Sequence, residues 1–524
     1  MKSERLFRIL GLVDDGLVDE AVSASPAASK PRRIPRRILG LAACLVLICG
    51  LGLWYRAGSQ MNTSGGADGA APIAGSGGSG HSGGTVFMSY AGPVFPLTAL
   101  EGGHGLATER TLTWDFAPGA YADGEPRQWG AQVTDRYVLA NPSEEDVTAT
   151  AFYPFAGSFY DLAQIRPTVS ADGGEIQSEL YAGPYAGGFS SAYGAEDPDH
   201  GTLNLAHLNS WEEYRALLED GAYLDRTLAE YPELDIPVTV YHFSDFEAPH
   251  EQYPAATQAI TFTIDPGATE ILSYGFNGMS WDEESGWRQY NYFVPDGVIR
   301  EPEAKALVVL GADIGNYVLQ GYENGGCDAG GEIEGVSCTV TREETTLNEV
   351  LDCLCREYAA FYTRGWIPDH PNPFDTVSFE MYRGAAAELL VQYGALSGTP
   401  RDRYADGRLD DIFYEVLIHQ RVLYLQFSVT VPAGGSVTVD CALWKEPSYD
   451  FHCSGSENVG LQGYDLVTRL GSSLDFTRQT AALENTEGIE IVRQNLGFDL
   501  EGGITSAELN MEEEHYYLEV RVKE

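Results

Sequence analysis

The chain has 524 residues, with 32 Lys or Arg against 77 Asp or Glu, a formal net charge of −45 at pH 7, and 44% hydrophobic residues. Such an acidic balance excludes nucleic acid and anionic membrane surfaces as ligands of the bulk of the chain, because phosphate pairing and counterion release need clustered cations. The charge is unevenly placed: residues 1–37 carry eight basic and five acidic residues, net +3, and the remainder carries 24 basic and 72 acidic, net −48.

The chain opens with two short helical patterns. Leu6, Ile9, Leu10 and Val13 keep the i, i+3, i+4, i+7 spacing of one apolar face, and Asp14 or Asp15 can cap a second helix carrying Leu17, Val18, Ala21 and Val22. Helices this short are marginal alone in water, so the head folds on a partner or on the membrane surface, with Leu6, Ile9, Leu10 and Val13 the candidate contact for a cytoplasmic partner, or it is a solvated tail. Residues 38–55 follow, eighteen in a row without a charge. As a helix they reach about 27 Å, close to the thickness of a bilayer's hydrocarbon core. Lys30, Arg32, Arg33, Arg36 and Arg37 crowd the N-terminal side, and Trp54 and Tyr55 stand where an interfacial aromatic belt sits. Positive charge stays inside. The expectation is a membrane-anchored chain with a single transmembrane helix at 38–55, a cytoplasmic head at 1–37 and the rest outside the cell. A cleaved secretory signal fits less well, since its apolar region is normally shorter and nearer the chain start. A lipoprotein box at Leu41-Ala42-Ala43-Cys44 is followed by eleven apolar residues where a polar tether should begin.

The run Leu12-Val13-Asp14-Asp15-Gly16-Leu17-Val18-Asp19-Glu20-Ala21, the basic patch and Leu41-Ala42-Ala43-Cys44-Leu45 resemble the N-terminal part of membrane-anchored surface proteins of Gram-positive anaerobes. Some of those are similar to sigma-factor regulators. The resemblance covers residues 1 to about 55 and lacks the His and Cys pair of a zinc-type anti-sigma head. It implies an integral membrane protein with a regulatory partner such as a sigma factor on the cytoplasmic head.

Residues 56–85 are rich in Gly and Ser, with no large apolar run to bury. About 30 such residues span roughly 30 Å as a coil and act as a tether. Beyond them strand signals dominate. Residues 133–140 and 147–155 flank a loop of turn residues, 259–264 and 270–274 flank Asp265-Pro266-Gly267, and 423–431 and 437–443 flank Pro432-Ala433-Gly434-Gly435. Alternation on both arms predicts hairpins with one buried and one wet face. The echo between the last two suggests two related β-sandwiches. Ser210-Trp211-Glu212-Glu213 and Thr346-Leu347-Asn348-Glu349 fit capping boxes. Leu347, Val350, Leu351, Leu354, Tyr358, Phe361 and Tyr362 then keep one face up to Gly365, and a further helix is predicted from about 376 to 393. Whether 411–420 is helix or strand the pattern leaves open.

The domain reading is a β-rich unit at 86–312 with a helical insertion near 210–230, an α-rich insertion at 313–418, and a second β-rich unit at 419–524. Six cysteines lie beyond the membrane segment, and Cys327 with Cys338 is the best local disulfide pair, closing a Gly-rich loop and worth roughly 3 kcal/mol on the entropic view. Cys353 and Cys355 point in different directions on a helix. No metal or cofactor motif with proper ligand spacing appears, and no nucleophile elbow or phosphate-cradling loop. The aromatic cluster Trp281, Trp287, Tyr290 and Tyr292 around an acidic turn is the candidate ligand-binding surface, able to stack on a sugar or cradle a cation. Against it stands the ordinary role of alternating aromatics as core or cross-strand pairs. Tyr181, Tyr185, Phe189 and Tyr193 form a second aromatic set in a Gly-rich loop. The functional expectation is a single-pass cell-surface protein whose acidic outer region binds or senses an external ligand. A hydrolase acting on wall glycan or peptide, or an adhesive protein, is the alternative.

Overall fold

Alternating apolar residues form strands at each of the three predicted places, and in each case the two arms enter different sheets. The computed structural model describes residues 90–120, 126–127, 129–187, 207–282, 284–300, 303–365, 371–392, 395–396, 407–450, 458 and 460–523, all within the unit Gly69–Glu524. Ala131–Ala140 pairs with Ala107–Asp115 and Ser436–Lys445, whereas Val147–Gly157 pairs with Thr98–Glu101 and Arg421–Val431. The expected hairpins are therefore arches that cross from one sheet to the facing one. A buried face and a wet face are required either way, so alternation does not distinguish the two.

Two of these arches stack. Strand Val147–Gly157 lies against Arg421–Val431 from Val431↔Val147 to Arg421↔Gly157, and Ala131–Ala140 lies against Ser436–Lys445 over their whole length. Their loops are joined too: Asn141 N–H donates to Gly435 O at 2.9 Å and Gly434 N–H to Ser143 O at 2.9 Å. The Asn141 side chain donates to Val431 O at 3.1 Å. The 86–312 and 419–524 segments are thus interwoven rather than consecutive. Val133, Tyr137, Leu139, Tyr153, Phe155, Leu423, Leu425, Val439 and Leu443 fill the space between the four-stranded and seven-stranded sheets. The opposite face of the four-stranded sheet is covered by Tyr214, Leu218 and Tyr223 of helices Trp211–Leu218 and Ala222–Thr227, packed on Phe152, Val422 and Tyr424.

Residues 237–346 make a second sandwich. Its sheets are Thr269–Tyr274, Lys305–Gly311, Pro237–Glu247 and Ser337–Thr346 on one side, and a five-stranded sheet from Gly278–Asp282 to Glu332–Ile333 on the other. Phe243, Ile260, Phe262, Phe276, Tyr290, Tyr292, Leu307 and Val309 fill it. The outer face of the four-stranded member packs on helices Leu347–Gly365, Phe379–Gln392 and Leu409–Ile418, whose Leu351, Leu354, Tyr358, Ile412 and Phe413 meet Val240, Leu272, Tyr274 and Val308. Strands buried on both faces read as continuous apolar runs, which is why Lys305–Gly311 shows no alternation.

The hydroxyl half of each capping box forms, with Ser210 Oγ accepting from Glu213 N–H at 3.3 Å and Thr346 Oγ1 from Glu349 N–H at 3.4 Å, while the Glu213 carboxylate accepts from Asn209 N–H and that of Glu349 from the Thr345 hydroxyl. The first α-rich helix is described from Leu347 to Gly365, and the predicted stop beyond it lies outside the described residues.

The membrane-anchored fold class is corrected. Among the described residues no helix is long and apolar enough to cross a membrane. Leu347–Gly365, at 19 residues the longest described, carries Asp352, Arg356 and Glu357 and is amphipathic rather than apolar throughout. What the structure defines is a β-rich fold with packed helices. The 38–55 stretch, the 1–37 head with Leu6, Ile9, Leu10 and Val13, and the 56–85 linker lie outside the described residues.

Candidate functional site

The segment left open by the sequence, 411–420, ends a helix and starts a strand, and that junction builds a polar cavity. Helix Leu409–Ile418 is followed by His419 as its C-cap, and strand Arg421–Val431 begins two residues later. Across from them Ala385, Glu388 and Leu389, spaced i, i+3, i+4, present one face of helix Phe379–Gln392. Gly384, next to that face, lets the Tyr231 ring approach so closely that a Cβ there would lie 2.3 Å from it. Tyr185 closes the remaining side, its carbonyl held by Gln392 Nε2 at 3.1 Å. The enclosed volume is about 10 Å³, room for roughly one water-sized group.

Arg421 is 3% exposed. One Nη donates to Val416 O at 3.1 Å, and the guanidinium carbon sits 4.4 Å from the centre of the Phe159 ring. Its Nε has no hydrogen-bond partner among the described residues. Burial pulls the guanidinium pKa below the ordinary arginine value, with Tyr223 and Glu388 opposing only in part. Glu388 answers in the opposite sense: burial raises its carboxyl pKa against the pull of Arg421 and Arg226. Two opposite charges thus face one cavity, each short of compensation.

His419 is buried at the helix C-terminus, where the dipole favours a cation. Its Nε2 meets the Glu415 carboxylate one turn back, and its Nδ1 has no partner. The Tyr185 ring stands edge-on to it at 5.1 Å, and the His207 ring lies 4.7 Å from it. Glu415 is therefore committed to His419, and Glu388 is the free carboxylate of the lining.

The predicted aromatic surface does not assemble. Trp281 is 38% exposed and Trp287 is half-buried. The register pairs Trp281 with Arg288 and Asp282 with Trp287. Opposed residues share a face, and adjacent ones alternate, so the two indoles lie on opposite sides of the ribbon. Tyr290 and Tyr292 are core residues, packed on Phe276 at 5.4 and 5.5 Å between ring centres. Of the second aromatic set, Tyr185 lines the cavity, Tyr181 packs on Phe152 at 6.1 Å, and Phe189 and Tyr193 lie outside the described residues.

Cys327 and Cys338 are free thiols, not a disulfide. Cys327 occupies a turn at φ 48° beside Asp328, and burial pushes its thiol up to about 11. Cys338 lies half-buried on strand Ser337–Thr346, and burial raises its thiol pKa. Among the described residues no group of three or more His, Cys, Asp or Glu could hold a metal ion.

A second strained charge lies on the same helix. Both oxygens of Asp410 accept the Gly275 N–H at 3.0 Å. Burial nonetheless pushes its carboxyl up to about 7, with Glu303 adding to the shift. Lys305 Nζ, 4.0 Å from Glu303, sits over the Tyr292 ring at 5.4 Å.

No motif in the sequence links the charged groups of the cavity, because Glu388 comes from one helix, Glu415 and His419 from another, and Arg421 from a strand. One signal was present: Arg421 heads a run, Arg-Val-Leu-Tyr-Leu-Gln-Phe, in which every residue but Gln426 is buried. No family model matches this chain, and no curated protein matches it.

Proposed function

We propose that the acidic β-rich region is a binding protein that recognises an external polar ligand at the Arg421 cavity. The observation that carries this reading is a buried guanidinium at a partly enclosed cavity, its Nε without a hydrogen-bond partner among the described residues. A buried charge left without a partner costs several kcal/mol, so a ligand supplying an acceptor there gains more than it would at a solvated arginine. An outward-facing location, and a cytoplasmic regulator on Leu6, Ile9, Leu10 and Val13, belong to the same proposal. Their support is the charge asymmetry of the sequence, net +3 over 1–37 against net −48 beyond.

The hydrolase alternative has one observation in its favour: Glu388 and Glu415 line the same cavity, and Glu388 holds its proton more tightly than an ordinary carboxyl. The pairing argues against it, since His419 engages Glu415 and leaves Glu388 without a second carboxylate to work with. The test is thermal unfolding of the full chain against a panel of small carboxylates, phosphates and sugars, beside turnover assays on glycan and peptide substrates. Binding predicts stabilisation by at least one ligand that Arg421→Gln abolishes. Turnover lost in Glu388→Gln or Glu415→Gln would replace this reading with the hydrolase.

A further inference from the structure

The cavity carries two incomplete charges of opposite sign. Arg421 Nε is unpartnered, and no carboxylate lies within ion-pair distance of the guanidinium among the described residues. Glu388 lines the same space with no ion pair among the described residues, while Glu415 is taken up by His419. The Tyr185 ring adds an aromatic wall. A simple anion would satisfy Arg421 and be repelled by Glu388. A simple cation would do the reverse. Only a ligand bearing both charges in the matching order completes both groups.

We propose that the cavity recognises the head group of a free α-amino acid, its carboxylate directed to Arg421 and its ammonium to Glu388 and the Tyr185 ring. This rests on the reading of the Arg421 cavity as a ligand site. Carboxylate to guanidinium is a charge-assisted pairing of high geometric specificity, and an ammonium gains from both a carboxylate and an aromatic face. The cavity as it stands has room for about one water-sized group, so binding requires the Tyr185 or Leu389 side chain to turn and admit the head group. Small side-chain rearrangements of this kind are common on binding. The size constraint favours the smallest members of the class, so glycine is the probe.

The experiment is thermal unfolding of the full chain in glycine, sodium acetate, methylammonium chloride, and acetate with methylammonium together, all at equal concentration. Glycine at about 50 mM should raise the midpoint by about 2–4 °C if its Kd is near 1 mM, and acetate or methylammonium alone by much less. Glu388→Gln, a half-buried position whose replacement keeps the side chain's shape, should remove the advantage of glycine over acetate. Arg421→Gln should remove the response to both. Isothermal calorimetry on Glu388→Gln keeps the test alive if Arg421→Gln fails to fold. Equal shifts from glycine and acetate would overturn the amino-acid assignment while leaving an anion site at Arg421. No shift from glycine or from any panel ligand would overturn the site itself.

Discussion

Arg110 and Arg421 are both buried arginines of this fold, 2% and 3% exposed, and their surroundings differ sharply. Arg110 makes a bidentate pair with Asp135, Nε to Oδ1 and Nη to Oδ2, each 2.8 Å, and a further Nη donates to Val467 O at 2.7 Å. The Tyr137 hydroxyl donates to the same carboxylate at 2.6 Å. Burial disfavours the charge of Arg110, but Asp135 and then Tyr137 outweigh it and hold its pKa above the ordinary arginine value. For Arg421 burial prevails. A buried charge with every donor matched is part of the scaffold. One with a donor left over beside a cavity is where the proposed ligand would bind.

The comparison can be broken from the Arg110 side. Asp135→Ala would leave Arg110 in the condition of Arg421 but with no cavity to take a ligand, and should cost about 3–5 kcal/mol of stability. Urea denaturation of the full chain measures this. A loss below about 1 kcal/mol would mean that the network is not structural.

Asp410 sharpens the comparison through pH. Its carboxyl is raised from 3.8 to about 7, so the folded state holds the proton more tightly than the unfolded chain. The associated stability is fully present below about pH 4 and is lost as pH rises to about 7, roughly 2–4 kcal/mol in all. Asp410→Asn should remove that loss. Its stability relative to wild type should therefore grow by this amount between pH 4 and pH 7.5 and stay level above it. A difference independent of pH would show that Asp410 ionises normally.

Glu388→Gln is expected to change stability by less than about 1 kcal/mol, because Glu388 compensates Arg421 at a distance and not through an ion pair. Smaller still is the effect of Trp281→Ala at the exposed ribbon, about 0.5 kcal/mol or less. Ligand binding should be untouched there, and a binding defect in Trp281→Ala would restore the aromatic turn as the recognition surface.

Much of the local structure was legible in the sequence, and little of the long-range pairing. Ser210 and Thr346 announced helix starts because a capping hydroxyl acts on amides within its own first turn. Strand positions 423–431 and 437–443 followed from alternation alone. Their partners did not, because a hairpin and an arch bury the same alternate residues. Only contacts across more than a hundred residues, such as Leu423 with Phe155, decide between them. Tyr290 and Tyr292 looked like a surface because aromatics two apart share a face, and a single strand does not say which face is covered. The cavity was the least legible part, since its charged groups meet only after two helices and a strand have packed.

The most direct test of the central claim is urea denaturation of Arg110→Met and Arg421→Met, side by side in the full chain. Replacing Arg110 strands the buried Asp135 carboxylate and should cost about 3–5 kcal/mol, whereas replacing the under-compensated Arg421 should cost at most about 1 kcal/mol. Equal losses in the two variants would contradict the account, because Arg421 would then be as much a part of the scaffold as Arg110.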